Sequence, residues 1–227
     1  MLGVSEAVKS NQTDVHENLV ATVEKHLRHP WQGPIAEHTR LAFEQLTQWR
    51  AKKGTELPLV LDTGCGTGRS TFLLAQQYPE ALVVGMDQSA DRLQRGTRRF
   101  KFPENALLLR AESADLWRLM AAHEWRLWRH YVLYPNPWPK SAHLRRRWHG
   151  HPAWRELLSL GGILHCRTNW RLYVEEMKRA LAVSQISAHI KTIALDKEKA
   201  HLALTDFEEK YLLSGHELWQ LEVQLPG

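Results

Sequence analysis

Two cysteines in 227 residues, Cys65 and Cys166, are too few and too widely spaced for a disulfide framework, so both are expected to be free thiols in a reducing compartment. No apolar run approaches the roughly 18 residues needed to cross a bilayer, and the first ten residues lack the basic start and apolar block of a secretory signal. These absences predict a soluble, cytoplasmic protein. His143, His149 and His151 have no distinctive ligand spacing and no cysteine or carboxylate close by, so no metal is expected. No repeat, low-complexity tract or linker marks a second full domain. The expected organisation is an amino-terminal helical segment, 1–54, packed on a core domain, 55–227. No segment identifies a self-association surface, which leaves monomer and homodimer equally open.

What is present is an alternation. Leu19, Val20, Val23 and Leu27, then Leu41, Leu46 and Trp49, fall at helical spacing and predict two helices ahead of the core. From Leu57 onward, short strand-like runs cover 59–62, 81–87, 106–110, 131–134 and 162–167. Segments of helical composition begin near Arg69, Ala90, Asp115, Pro152 and Arg171. Two further strands are expected within 185–194 and 216–223. The pattern predicts an α/β fold: a mostly parallel seven-stranded sheet with helices on both faces and a terminal antiparallel strand.

The first strand runs into Asp62-Thr-Gly-Cys-Gly-Thr-Gly68, where Gly64, Gly66 and Gly68 allow a sharp turn and a close ligand approach. A helix follows at once, so its first amides face the crevice where open α/β sheets bind ligands. Asp87 ends the next strand, about 20 residues on, where a carboxylate accepts bonds from ribose hydroxyls. Glu112 and Ser113 follow the third strand; the resemblance of the glycine spacing to the first motif of class I methyltransferases implies that they face an adenine. These features alone fit a nicotinamide cofactor as well as other nucleotide-like ligands.

Three prolines in five residues, Pro135 to Pro139, cannot continue a strand or helix, so Tyr134-Pro-Asn-Pro-Trp-Pro-Lys140 must form a stiff loop after the fourth strand. That end of the sheet is expected to face the cofactor, with Asn136 and Trp138 beside the reacting group. Lys140 to His151 then carries four formal positive charges and three histidines without one carboxylate. Taken alone, such a run is a solvated face; Lys140, His143, Arg145, Arg146 and Arg147 are expected to contact phosphates only if the adjoining loop holds a nucleic-acid base. Of the ten tryptophans, Trp117, Trp125, Trp128 and Trp219 suit packing, while Trp31, Trp138, Trp148 and Trp170 are candidate stacking platforms.

The glycine spacing is similar to the first motif of class I methyltransferases. The chain also resembles the bacterial tRNA (guanine-N7)-methyltransferase family in Pro135, Pro137, Trp138, Lys140, His143, Arg146 and Arg147. The likeness continues in Gly161-Gly162, Thr168-Asn-Trp170 with Tyr173 and Met177, and Thr205-Asp-Phe-Glu208 before Gly215-His216 and Trp219. It covers roughly residues 57–225 and implies a Rossmann-like class I fold, S-adenosylmethionine as cofactor and tRNA as substrate, methylated at guanine 46 of the variable loop. It further implies that Asp62 lies near the methionine amino group and that Asn136, Pro137 and Trp138 hold the base. Thr168, Asn169, Thr205 and Glu208 would line the substrate pocket, although Thr205 and Glu208 also read as an N-cap and its capping-box partner.

Asn136 and Asn169 stand where the family has aspartate, Ala142 replaces a basic residue, Asp206 replaces a lysine, and Asp62 replaces a glutamate. N7 of guanine carries an in-plane lone pair, so its methylation needs orientation and no general base. Asn136 keeps a carbonyl acceptor and gains an amide donor. The same residue makes Asn136-Pro-Trp138 similar to the loop of methyltransferases acting on exocyclic amines. Another RNA base, a small-molecule amine, or a catalytically weak tRNA-binding role are the alternatives.

Overall fold

The computed structural model describes residues 5–226; residues 1–4 and 227, at the two ends of the expected segments, lie outside the described residues. Helices α1 (Leu19–Arg28) and α2 (Glu37–Lys53) precede β1 (Leu59–Thr63). The alternation that follows is α3 (Arg69–Gln77), β2 (Leu82–Asp87), α4 (Ala90–Arg99), β3 (Ala106–Arg110), α5 (Ser113–Ala122) and β4 (Arg129–Leu133). Then come α6 (Trp154–Ser159), β5 (Gly162–Thr168), α7 (Arg171–Val183), β6 (His189–Thr192), α8 (Asp206–Leu213) and β7 (Trp219–Leu225), with short 3-10 turns at Ser141–Arg146, Trp148–Gly150 and Ala200–Leu202.

Seven strands run in the order β3-β2-β1-β4-β5-β7-β6. β1 pairs in parallel with β2 and with β4, β2 pairs in parallel with β3, and β6 pairs antiparallel with β7. Every residue of β1 and β2 is buried, as expected of central parallel strands covered on both sides. β7 alternates, with Leu221, Val223 and Leu225 inward and Glu222 and Gln224 outward, the pattern of a strand with one solvated face.

Contacts divide the chain into two compact units. One holds residues 32–132 and 156–163 with the carboxyl end: α2 packs on α5 and β3, and α3 and α4 pack on β2 and β3. The other holds 5–31, 133–155 and 164–223: α1 packs on α7, and α7 on β6 and the turn at Trp148–Gly150. Helices α1 and α2 belong to different units. The core face of α2 also differs from its leucine spacing. Thr39, Ala42, Phe43 and Leu46 are buried, whereas Leu41 is 56% exposed.

Local signals explain the element ends. Gly54, at φ 129°, closes α2, Ser89 caps α4 by accepting from the Arg92 N–H, and Thr205 caps α8 by accepting from the Glu208 N–H at 2.9 Å. Cys65 and Cys166 are buried thiols, and burial pushes Cys166 up to about 12, so neither acts as a thiolate.

Candidate active site

The glycine turn belongs to the first unit. Gly64 and Gly66 have φ of 72° and 61°, a left-handed conformation that side chains oppose, yet a Cβ at either would meet nothing within 4 Å. Glycine is therefore required by the path of the chain, and the space above the turn stays open. The Cys65 N–H donates to Met86 O at 2.9 Å and the Gly66 N–H to Asp87 Oδ2 at 3.0 Å, which ties the turn to the end of β2. Gly68 forms the N-cap position of α3, so the first amides of that helix open beside the turn.

Asp62 sits beneath this turn, 1% exposed. Its Oδ2 accepts from Ser70 Oγ at 2.6 Å and Thr71 Oγ1 at 2.7 Å, both from the first turn of α3, while its buried Oδ1 has no partner. Burial pushes the carboxyl up to about 6, with Asp87 adding to the rise and the two hydroxyls opposing it. A buried oxygen short of a donor accepts an ammonium group readily. The donor set thus fits the amino group of S-adenosylmethionine. Asp87 gives one oxygen to the Ser89 N–H at 2.8 Å and the other to Gly66, with Arg92 Nη1 at 3.5 Å. Each carboxylate oxygen keeps acceptor capacity for a ribose hydroxyl. Glu112 is the N-cap residue of α5, half-buried, its N–H held by Thr39 Oγ1 at 3.0 Å, and Ser113 opens the helix. Ser70, Thr71 and Thr39 were missed from sequence; the Ser-Thr pair opening α3 was the visible signal.

The proline loop belongs to the second unit. Its backbone turns through positive φ at Tyr134 (52°) and Trp138 (45°), and neither is glycine. Such geometry persists only where surroundings hold it, and it clusters at ligand sites. Asn136 is exposed, with Oδ1 accepting from the Trp138 N–H at 3.4 Å. Pro137 and Trp138 are half-buried; the Arg146 guanidinium lies 4.6 Å from the Trp138 ring centroid and the His143 ring meets its edge at 5.5 Å. Desolvation and the cations Arg146, Lys140 and Arg147 lower the His143 pKa.

Lys140, Arg145 and Arg146 are exposed, as phosphate contacts require. Arg147 corrects the sequence expectation: it is 0% exposed. Its Nη1 pairs with Glu176 Oε2, its Nε and Nη2 donate to Trp138 O at 3.2 and 3.1 Å, and Nη2 also donates to Lys140 O at 3.3 Å. His149 joins the same carboxylate through Nε2 at 2.9 Å. Burial lowers His149 against the pull of Glu176, while burial's upward push on Glu176 is outweighed by His149, Arg147 and Gln12 and its pKa falls to about 2. Nothing in the sequence pairs Arg147 with an acid 29 positions away.

Asn169 Nδ2 lies 3.1 Å from His216 Nδ1, and His216 Nε2 lies 2.9 Å from the Ser5 carbonyl. A carbonyl only accepts, so His216 carries its proton on Nε2 and accepts from Asn169. Thr168 is buried and accepts from the Trp170 N–H at 3.1 Å. Glu208, 0% exposed, is committed to Arg167 Nη1 at 2.9 and 3.2 Å, which leaves only the Thr205 half of the capping box. Trp117 is fully buried, as its packing role requires. Trp170 is 9% exposed beneath Arg147, so it packs where a stacking platform was expected. Among the described residues no three His, Cys, Asp or Glu side chains are grouped as a metal site, and no helix is long and apolar enough to cross a membrane.

The strand order β3-β2-β1-β4-β5-β7-β6, with β6 and β7 antiparallel, a glycine turn after β1 and an acid at the end of β2, is the Rossmann-like fold of class I methyltransferases. The same fold is found in 16S rRNA methyltransferase KamB, at TM-score 0.59 and 18% identity over 86% of this chain and 96% of that one. It is also found in a tryptophan-to-alanine mutant of the 16S rRNA (adenine(1408)-N(1))-methyltransferase from Catenulisporales acidiphilia, solved with cosubstrate SAM, at TM-score 0.58 and 18% identity over 80% and 91%. Residues 56–221 match the family described as "Putative methyltransferase", and the chain belongs to that family. It is an enzyme that takes its methyl group from S-adenosylmethionine. Similar curated proteins are the tRNA (guanine-N(7)-)-methyltransferases of Brevibacillus brevis, 26% identical over 77% of this chain and 84% of that protein, and of Bacillus subtilis, 24% over 87% and 98%. The resemblance read from the motifs is thereby borne out.

Proposed function

We propose that the protein is a tRNA (guanine-N7)-methyltransferase acting on guanine 46 of the variable loop. The observation that carries this reading is the proline-bounded Asn136–Trp138 loop, set in positive-φ geometry beneath Arg146 and followed by exposed Lys140 and Arg145. The tRNA (guanine-N(7)-)-methyltransferases similar to this chain support it.

Bound S-adenosylmethionine supplies an electrophilic methyl group on a sulfonium, which the N7 lone pair attacks in line. The residues of this chain then have separable tasks. Asp62 holds the donor's amino group with its unpartnered oxygen, Asp87 the ribose, and Glu112 with Ser113 the adenine. Trp138 stacks on guanine, and Asn136 presents a carbonyl acceptor and an amide donor to the edge of the base. No residue removes a proton, because N7 bears none; orientation and exclusion of water carry the rate. Lys140, Arg145 and Arg146 hold phosphates, and Asn169, kept in place by His216, adds a polar group to the substrate side.

Asn136 also motivates a second reading, methyl transfer to an exocyclic amine. Incubation with total tRNA and S-adenosylmethionine, followed by borohydride and aniline treatment, separates the two. Strand cleavage at guanine 46 supports N7 transfer; methyl incorporation without cleavage refutes it.

A further inference from the structure

Residues 5–16 form neither helix nor strand, yet they are stitched to the proline loop and its supports. Ser10 Oγ donates to Pro139 O at 2.5 Å, and Asn11 Oδ1 accepts from the Ser141 N–H at 3.3 Å. Gln12 is the centre of the arrangement. Its Oε1 accepts from Arg147 Nη2 at 3.0 Å while its Nε2 donates to Glu176 Oε1 at 2.6 Å, so one amide bridges both members of the buried ion pair. The His16 N–H adds a bond to the same Glu176 oxygen at 3.0 Å, and Ser5 meets Ser214 and His216, the residue that holds Asn169.

The direction of these bonds matters. Arg147 is the group that grips Trp138 O and Lys140 O from below, and Trp138 sits in a left-handed conformation that needs such a grip. Gln12 fixes one end of that guanidinium and Glu176 fixes the other. We propose that residues 5–16 are a positioning strap for the base-holding loop, acting through Gln12, Arg147 and Glu176. The inference rests on the reading of Trp138 as the guanine platform. These are positioning residues: none of the three needs to touch substrate.

Two readouts on full-length Gln12→Ala test the strap. Amide hydrogen exchange is measured first, without any substrate. The substitution should speed exchange across residues 136–143 by roughly tenfold while Cys65 to Gly68 stay unchanged; equal rates in variant and parent at 136–143 overturn the proposal. The second readout is kcat for tRNA at saturating S-adenosylmethionine, in a cycle with Trp138→Ala. Gln12→Ala alone should lower kcat on the order of tenfold and leave the KM for S-adenosylmethionine unchanged. In the Trp138→Ala background it should cost nothing further, because the loop through which it acts has lost its ring. Losses that multiply in the double variant contradict the proposal. If the parent enzyme transfers no methyl group to tRNA, the tRNA reading fails by itself, and the exchange measurement still decides the strap.

Discussion

Asp62 and Asn136 carry the two residue-scale decisions. The Asp62 carboxyl is held up to about 6, against an ordinary value of 3.8, mainly by burial. The penalised form is the carboxylate, so the empty protein loses stability as pH rises from 3.8 towards 6. A cationic amino group needs that carboxylate. Affinity for S-adenosylmethionine should therefore rise with pH through about 6 and level off above it. Calorimetric titration from pH 5 to 8 should show this, and Asp62→Asn should bind more weakly without that acid limb; a parent profile flat through 6 contradicts the assignment. On the proposed reading, aspartate at position 136 would add a charge-assisted bond to guanine N–H groups, a gain on the order of 1–3 kcal/mol. Asn136→Asp should raise kcat/KM for tRNA in single-turnover and steady-state assays. A fall would favour the exocyclic-amine reading.

At the scale of elements, much was legible because the local signals agree. The all-buried β1 and β2, the capped α4 and α8 and the glycine turn follow from apolar runs, cap residues and positive-φ positions that a sequence displays. Sheet order and buried pairs do not follow in that way. Arg147 read as one more cation of a surface run, yet Glu176 and Gln12 enclose it from distant parts of the chain. Leu41 falls at the apolar helical spacing of α2, yet the helix turns Ala42, Phe43 and Leu46 inward. Gly96 is a further case: a Cβ there would lie 1.9 Å from the Thr67 carbonyl oxygen, so α4 rests directly on the glycine turn. Gly96→Ala should destabilise by on the order of 1–3 kcal/mol and weaken S-adenosylmethionine binding together, because the backbone of the turn itself must move. Thermal melting and ligand titration report both effects, and an unchanged pair of values would sink this account of the contact.

Across the whole molecule, the net charge of +5 matters less than which cations are free to meet a polyanion. Replacing Lys140, Arg145 or Arg146 by alanine should reduce the slope of log affinity for tRNA against log salt by about one per contact. Arg147→Ala should behave differently. It leaves the Glu176 charge buried with a partner lost, at a cost on the order of 3–5 kcal/mol of stability, so melting temperature falls first. A basic run that looks uniform in sequence thus separates into exposed cations, proposed to meet phosphates, and a buried structural arginine. The central claim is methyl transfer to N7 of a tRNA guanine, and nucleoside mass spectrometry of total tRNA after reaction with isotopically labelled S-adenosylmethionine tests it most directly. The account predicts labelled 7-methylguanosine as the product, mapped to guanine 46; label in any other nucleoside, or in none, would contradict it.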